Sequence, residues 1–226
     1  MTKSTSTVST GIPELDDLIH GLAVGDNVVF QTAKLDDYRR FVAPFRAWVE
    51  RAGRRLVYFR FAGHAPLLDD DGFVEIHQLD PTAGFELFLA SIYEVIRTAG
   101  RGACYVFDCL SELAADWFSD AMLGNFFRLT CPYLFDMETI AYFALIRNRH
   151  SLHATTPIRE TTQLFLDVYS LDGRVYMRPV KIQMRHTQTL ALLHEWRNET
   201  FTPVTDSCTI SEVLNETRRS PLEAAM

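Results

Sequence analysis

An α/β fold, with a largely parallel central sheet and an antiparallel hairpin extension on its C-terminal side, is predicted by three observations. Short apolar runs at 27–31, 55–61, 74–79, 103–107 and 139–146 alternate with stretches of helical apolar spacing. Strands that alternate with helices pair in parallel through right-handed crossovers. Beyond residue 146, Asp172-Gly173 separates two strand-like runs, 164–171 and 174–182, as a hairpin turn does. Finally, the 226 residues are 47% apolar and 23% charged, enough for one large domain, or one domain with a tail, around an ordinary core.

In chain order, residues 1–9 are rich in Ser and Thr and are expected to form a flexible arm. Pro13 near a first turn predicts a short helix over 13–19, and Gly21 and Gly25 punctuate the turn after it. The strand 27–31 leads to a helix over 35–52, with Phe41, Val42, Phe45, Trp48 and Val49 on its apolar face and Gly53 as its stop. A second strand, a loop at 64–72 and a third strand follow. Phe88, Leu89, Ile92, Val95 and Ile96 make 85–99 a helix, broken by Gly100-Arg101-Gly102. The strand 103–107 ends at Asp108, and 111–130 is helical in two parts. A helical start near 158–164 passes into the hairpin, and 190–196 adds a late strand. Residues 10–200 form the domain. Residues 201–226 lack a core period and are expected to be a linker or tail, with a short helix at 210–218.

Composition narrows the function classes. Twenty-nine acidic against 22 basic residues give a net charge of −7, so nucleic acid is not an expected partner. The N-terminus has no apolar h-region, and no apolar run approaches about 20 residues. No membrane partner is expected, and the cytoplasm is the expected compartment. Cys104, Cys109, Cys131 and Cys208 form no C-x-x-C pair and are expected to be reduced thiols.

Ligands of open parallel sheets bind beyond the carboxyl ends of the strands. At the first such end, residues 31–38 read Gln-Thr-Ala-Lys-Leu-Asp-Asp-Tyr. A phosphate loop needs glycines that turn backbone N–H groups inward, a lysine and a magnesium-binding hydroxyl. Here only Lys34 answers, and Asp36 and Asp37 would repel phosphate. Arg147, Arg149 and His150, with His153 and Arg159 nearby, form a basic cluster near another strand end and are anion-binding candidates; a solvated loop is the alternative. Ser111 has no evident His/Asp partner, so a hydrolase triad is not expected. The histidines are too sparse for a metal site, and Asp69, Asp70 and Asp71 read as a solvated acidic loop.

Residues 9–18, Ser-Thr-Gly-Ile-Pro-Glu-Leu-Asp-Asp-Leu, resemble the opening of the KaiC branch of the RecA-like ATPases. Val106-Phe107-Asp108-Cys109-Leu110-Ser111-Glu112-Leu113 resembles that branch's Walker B segment, an apolar strand ending in Asp and followed by a Ser-containing turn, and residues 178–185 resemble its late basic strand. The resemblance spans about residues 8–200 and implies a RecA-like three-layer fold. It places Lys34, Asp108 and Ser111 at a vestigial nucleotide site. It places Lys181 and Arg185, with His186, where the family reaches a neighbouring subunit, which implies a homo-oligomer. Two departures matter: the Walker A loop is missing, and Ala62-Gly63 stand where the family carries a catalytic Glu-Glu pair. Neither residue can serve as a base. Segments 25–31, 105–111 and 123–128 further resemble the N-terminal region of phosphoenolpyruvate synthase-related proteins, in which PEP/pyruvate-binding domains follow in cis. The expectation is a non-hydrolysing regulatory or scaffolding domain with no catalytic residues and no cofactor. The alternatives are an ATPase binding ATP and magnesium through an altered loop, and a phosphotransferase of the pyruvate, water dikinase type whose catalytic domains lie outside this chain.

Overall fold

A computed structural model describes residues 8–117, 119–185, 187–198 and 200–216. Its strands are β1 (Asn27–Thr32), β2 (Leu56–Arg60), β3 (Val74–Gln78), β4 (Cys104–Cys109), β5 (Ile140–Ile146), β6 (Leu164–Leu171), β7 (Arg174–Ile182), β8 (His194–Arg197) and β9 (Thr200–Pro203). The helices are α1 (Pro13–Ile19), α2 (Leu35–Arg51), α3 (Phe85–Ala99), α4 (Leu113–Asp116), α5 (Asp120–Asp136), α6 (Leu152–Thr161) and α7 (Ser207–Glu216). One sheet holds all nine strands in the order β3-β2-β4-β5-β1-β6-β7-β8-β9. It is parallel from β3 to β6 and antiparallel from β6 to β9.

Alternation along the strands sorts the core into two layers. Val28, Phe30, Val106 and Tyr142 face one side, where α1 and α2 pack through Leu15, Phe41 and Phe45. Val29, Phe107 and Phe143 face the other, against Phe88 and Ile92 of α3, Phe126 of α5 and Ile158 of α6. Burial on both faces is why the central strands read as continuous apolar runs. Each such side chain stabilises by roughly 1.5–3 kcal/mol on burial. The turn between β6 and β7 has positive φ at Asp172 and Gly173, +49° and +75°, as an Asp-Gly hairpin of the primed kind requires.

The opening motif is a knot of local hydrogen bonds. The Asp16 carboxylate accepts from the Thr10 N–H at 2.8 Å and from the Ser9 hydroxyl, while the Gly11 N–H donates to Ser9 Oγ at 2.9 Å. Val8 pairs with Leu22 through two backbone bonds. Residues 8 and 9 are thus folded onto the domain rather than part of a flexible arm; residues 1–7 lie outside the described set.

Three other boundaries move. The helix expected near 158–164 is Leu152–Thr161, capped by Ser151 Oγ accepting from the Ala154 N–H at 3.2 Å. Thr-Thr-Pro at 155–157 concealed it, since Pro is a poor helix-interior residue. The late strand is His194–Arg197. The expected tail from residue 201 contains β9 and α7; Val213 of α7 is buried among Tyr169, Tyr176 and Leu193. Residues 217 and 218 of the expected last helix lie outside the described set. No helix among the described residues is long and apolar enough to cross a membrane. Cys104, Cys109 and Cys131 are buried free thiols; burial pushes Cys104 up to about 12 and Cys109 up to about 11.

Candidate functional site

Only Ala33 and Lys34 separate β1 from α2. Two residues cannot turn the row of N–H groups that a phosphate loop uses. Lys34 is extended and exposed. Behind it the ring of Tyr38 is fully buried, 5.6 Å from the Phe30 ring. Burial, with Tyr142, Tyr58 and Asp108 close by, holds its phenol far above the ordinary range. Arg39 reaches across to donate to the carbonyls of Pro66 (2.5 Å) and Ala65 (2.6 Å), tying the loop after β2 onto α2.

Asp108 ends the Walker B-like segment and is completely buried. Its Oδ2 accepts from Arg60 Nη1 at 2.8 Å, the Phe61 N–H at 2.8 Å and the Ala62 N–H at 2.9 Å. Its Oδ1 accepts from the Tyr58 hydroxyl. Arg60 continues to the His64 carbonyl, and Tyr58 in turn accepts from the Leu67 N–H at 3.0 Å. A carboxylate with four donors, one of them a guanidinium counter-ion, is saturated by protein. The Ala62 backbone, at the position where the resemblance places a catalytic carboxylate, serves here as one of those donors.

Ser111 was expected to lack a His/Asp partner, and the structure corrects this. Ser111 Oγ lies 2.6 Å from His150 Nε2, and His150 Nδ1 lies 2.7 Å from Asp120 Oδ1. The three residues sit on different elements: the turn after β4, the β5–α6 connection and the start of α5. The arrangement has the connectivity of a nucleophile triad, but the serine is only 4% exposed and its oxygen also accepts from the Ile146 N–H at 2.8 Å. Asp120 accepts from the Ser151 N–H at 2.7 Å. Burial raises its carboxyl, the Ser151 and His150 hydrogen bonds lower it more, and it ends below the ordinary range. The relay ties the 147–151 loop to the sheet.

The anion candidates separate. Arg149 is exposed and pairs with Glu112 at 2.8 Å. Arg147 turns inward: Nη2 donates to the carbonyls of Gln31 (3.0 Å) and Val168 (3.1 Å), Nη1 is 3.3 Å from Asp167 Oδ1, and the guanidinium lies 4.1 Å from the Tyr169 ring centre. Asp167 Oδ2 also accepts from Arg178 Nη2 at 2.8 Å and the Tyr169 hydroxyl at 3.1 Å. Burial, then the Asp167 charge, pushes Tyr169 up to about 12. Arg147, Asp167, Tyr169 and Arg178, with His150 and Arg159, line a pocket of about 280 Å³ at the carboxyl ends of β1 and β5 and over the middle of β6. Arg178 and Asp167 were missed as site residues. The readable signal was one Asp inside the apolar run of β6 facing one Arg in its hairpin partner.

Lys181 and Arg185 are engaged within the chain. Lys181 Nζ donates to the carbonyls of Arg159 (2.7 Å) and Glu160 (3.0 Å) at the end of α6, and Arg185 pairs with the buried Asp26. His186 lies outside the described residues. Asp71 pairs with Arg46 and accepts from the Phe73 N–H at 3.0 Å, so the acidic loop has a structural member. No group of His, Cys, Asp or Glu fit to hold a metal occurs among the described residues.

A comparison with family models and with curated proteins finds no match. The KaiC-like resemblance therefore rests on the motifs themselves.

Proposed function

We propose that this chain is a RecA-like domain of KaiC type that does not hydrolyse ATP and acts as a regulatory or scaffolding module. The observation that carries this reading is Asp108. The one motif carboxylate retained from a magnesium site spends both oxygens on Arg60, Tyr58 and two backbone N–H groups. A metal-ligating Asp keeps a lone pair for the ion or its water. The two-residue β1–α2 connection supports the same conclusion, and the mostly parallel sheet with its antiparallel extension is what the resemblance implies.

The expected result is no thermal shift with ATP and magnesium at roughly 1–5 mM, a range in which a millimolar ligand already stabilises by a few tenths of a kcal/mol or more. A saturable shift, or magnesium-dependent release of ADP, would instead establish the altered-loop ATPase. The second part of the proposal is that PEP/pyruvate-binding domains follow in cis and carry any phosphotransfer chemistry. Reading the coding sequence past Met226 tests it. ATP-grasp and phosphohistidine segments in frame are expected, and a stop codon at that point would remove the fusion. Homo-oligomerisation belongs to the same reading.

A further inference from the structure

We propose that the pocket formed by Arg147, Arg159 and Arg178 binds a small phosphate-bearing dianion through side-chain guanidiniums. Its location is the first reason. It lies at the carboxyl ends of β1 and β5 and over the middle of β6, and the carboxyl ends of parallel strands are where open α/β sheets place their ligands. Charge is the second. Three arginines face one carboxylate, Asp167, and no ion pair among the described residues holds Arg159. The pocket therefore carries a surplus of about two positive charges, which a phosphate monoester near neutral pH would neutralise.

Preorganisation is the third. The Arg147 side chain is 10% exposed, pinned by two carbonyls and Asp167 and stacked on Tyr169. Arg178 is pinned by Asp167, and Arg159 rests over the Phe165 ring at 4.9 Å. Planar guanidiniums already held in place lose little freedom on binding, and their forked donors match phosphate oxygens. The Ser111–His150–Asp120 relay fixes the loop that carries Arg147 and gives the wall its shape.

Size sets the class of ligand. About 280 Å³ lies at or below the small end of ordinary ligand pockets. It admits phosphate or a phosphorylated small molecule rather than a nucleoside triphosphate. Such a ligand would be what the regulatory module senses, but the site stands on its own geometry whether or not that reading holds.

The test is calorimetric titration of the full chain at fixed ionic strength with inorganic phosphate, phenyl phosphate and succinate. Saturable binding of at least one phosphate probe, with a dissociation constant of roughly 1 mM or tighter, is expected, and succinate should bind more weakly. Phenyl phosphate binding above inorganic phosphate would identify a phosphorylated metabolite; the reverse order would identify the free ion. Arg159→Gln removes an exposed guanidinium that no carboxylate among the described residues holds, so it should leave the melting temperature nearly unchanged and weaken phosphate binding at least about tenfold. Arg178→Gln should weaken phosphate binding similarly but also lower the melting temperature, because the buried Asp167 loses its 2.8 Å partner and keeps only Arg147 and the Tyr169 hydroxyl. Absence of saturable binding to roughly 10 mM, or equal affinity in Arg159→Gln, overturns the proposal. Neither result bears on ATP hydrolysis, which the thermal-shift experiment decides separately.

Discussion

Replacing Asp108 with alanine is expected to cost about 3–5 kcal/mol of stability and, for a chain of this size, to lower the melting temperature by roughly 10 °C. The alanine removes the only carboxylate among the described residues that pairs with Arg60, a side chain 15% exposed. It also strips acceptors from the Phe61 and Ala62 N–H groups and from the buried Tyr58 hydroxyl. A charge left without its partner in a dry setting costs far more than the pair contributes when intact. Asp108→Asn should lose less, because its amide oxygen can still accept from the Phe61 and Ala62 N–H groups, while the charge on Arg60 goes unanswered and the Tyr58 hydroxyl meets an amide NH2 in place of its acceptor. Adding Arg60→Met to Asp108→Asn should recover part of that loss. Urea and thermal melts of the four proteins rank these losses. If Asp108→Ala melted within about 2 °C of the parent, a shift worth no more than about 1 kcal/mol, the carboxylate would not be a structural cross-link. It would then be free for a ligand, as in an active ATPase.

The sheet was largely legible in the sequence because its central strands are buried on both faces. Such strands read as near-continuous apolar runs, and 28–30, 103–107 and 140–146 do. The hairpin was legible for a different reason, the positive φ that Asp-Gly tolerates. The elements that escaped are those whose stability is tertiary. α6 carries Thr-Thr-Pro against its own propensity and forms because Ser151 caps it and α5 packs on it. β9 is four residues long and mostly exposed, so it has no periodicity of its own. The side-chain clusters were less legible still. Ser111, Asp120 and His150 lie 30 and 39 residues apart along the chain and meet only because β4, α5 and β5 converge. Arg60 and Asp108 each interrupt an apolar strand, and that interruption was readable. That the two interruptions answer one another depends on β2 and β4 being neighbours, which no local pattern encodes.

Gly11→Ala is expected to cost about 3 kcal/mol or more, from strain and close approach acting together. Gly11 has φ +83°, and a Cβ built on it would lie 2.1 Å from the Pro44 carbonyl oxygen and 2.4 Å from its carbon. Both are backbone atoms of α2, so no side chain can swing aside; the helix itself must move away from the opening loop. Gly53 supplies the control. Its φ is also positive, +62°, but nothing lies within 4 Å of its would-be Cβ, so Gly53→Ala should cost only the left-handed penalty of about 1 kcal/mol. Denaturant midpoints of the two variants separate strain from contact, and equal losses would mean that the approach to Pro44 is not tight. The outcome bears on function through the Thr-Gly-Ile-Pro motif. Thr10 and Ser9 bind Asp16, Gly11 admits the α2 backbone, and Pro13 starts α1. Every one of these tasks is mechanical and is complete without phosphate. A motif that owes its residues to seating α2 against the sheet needs no nucleotide to account for it, so its presence beside a two-residue β1–α2 connection involves no contradiction.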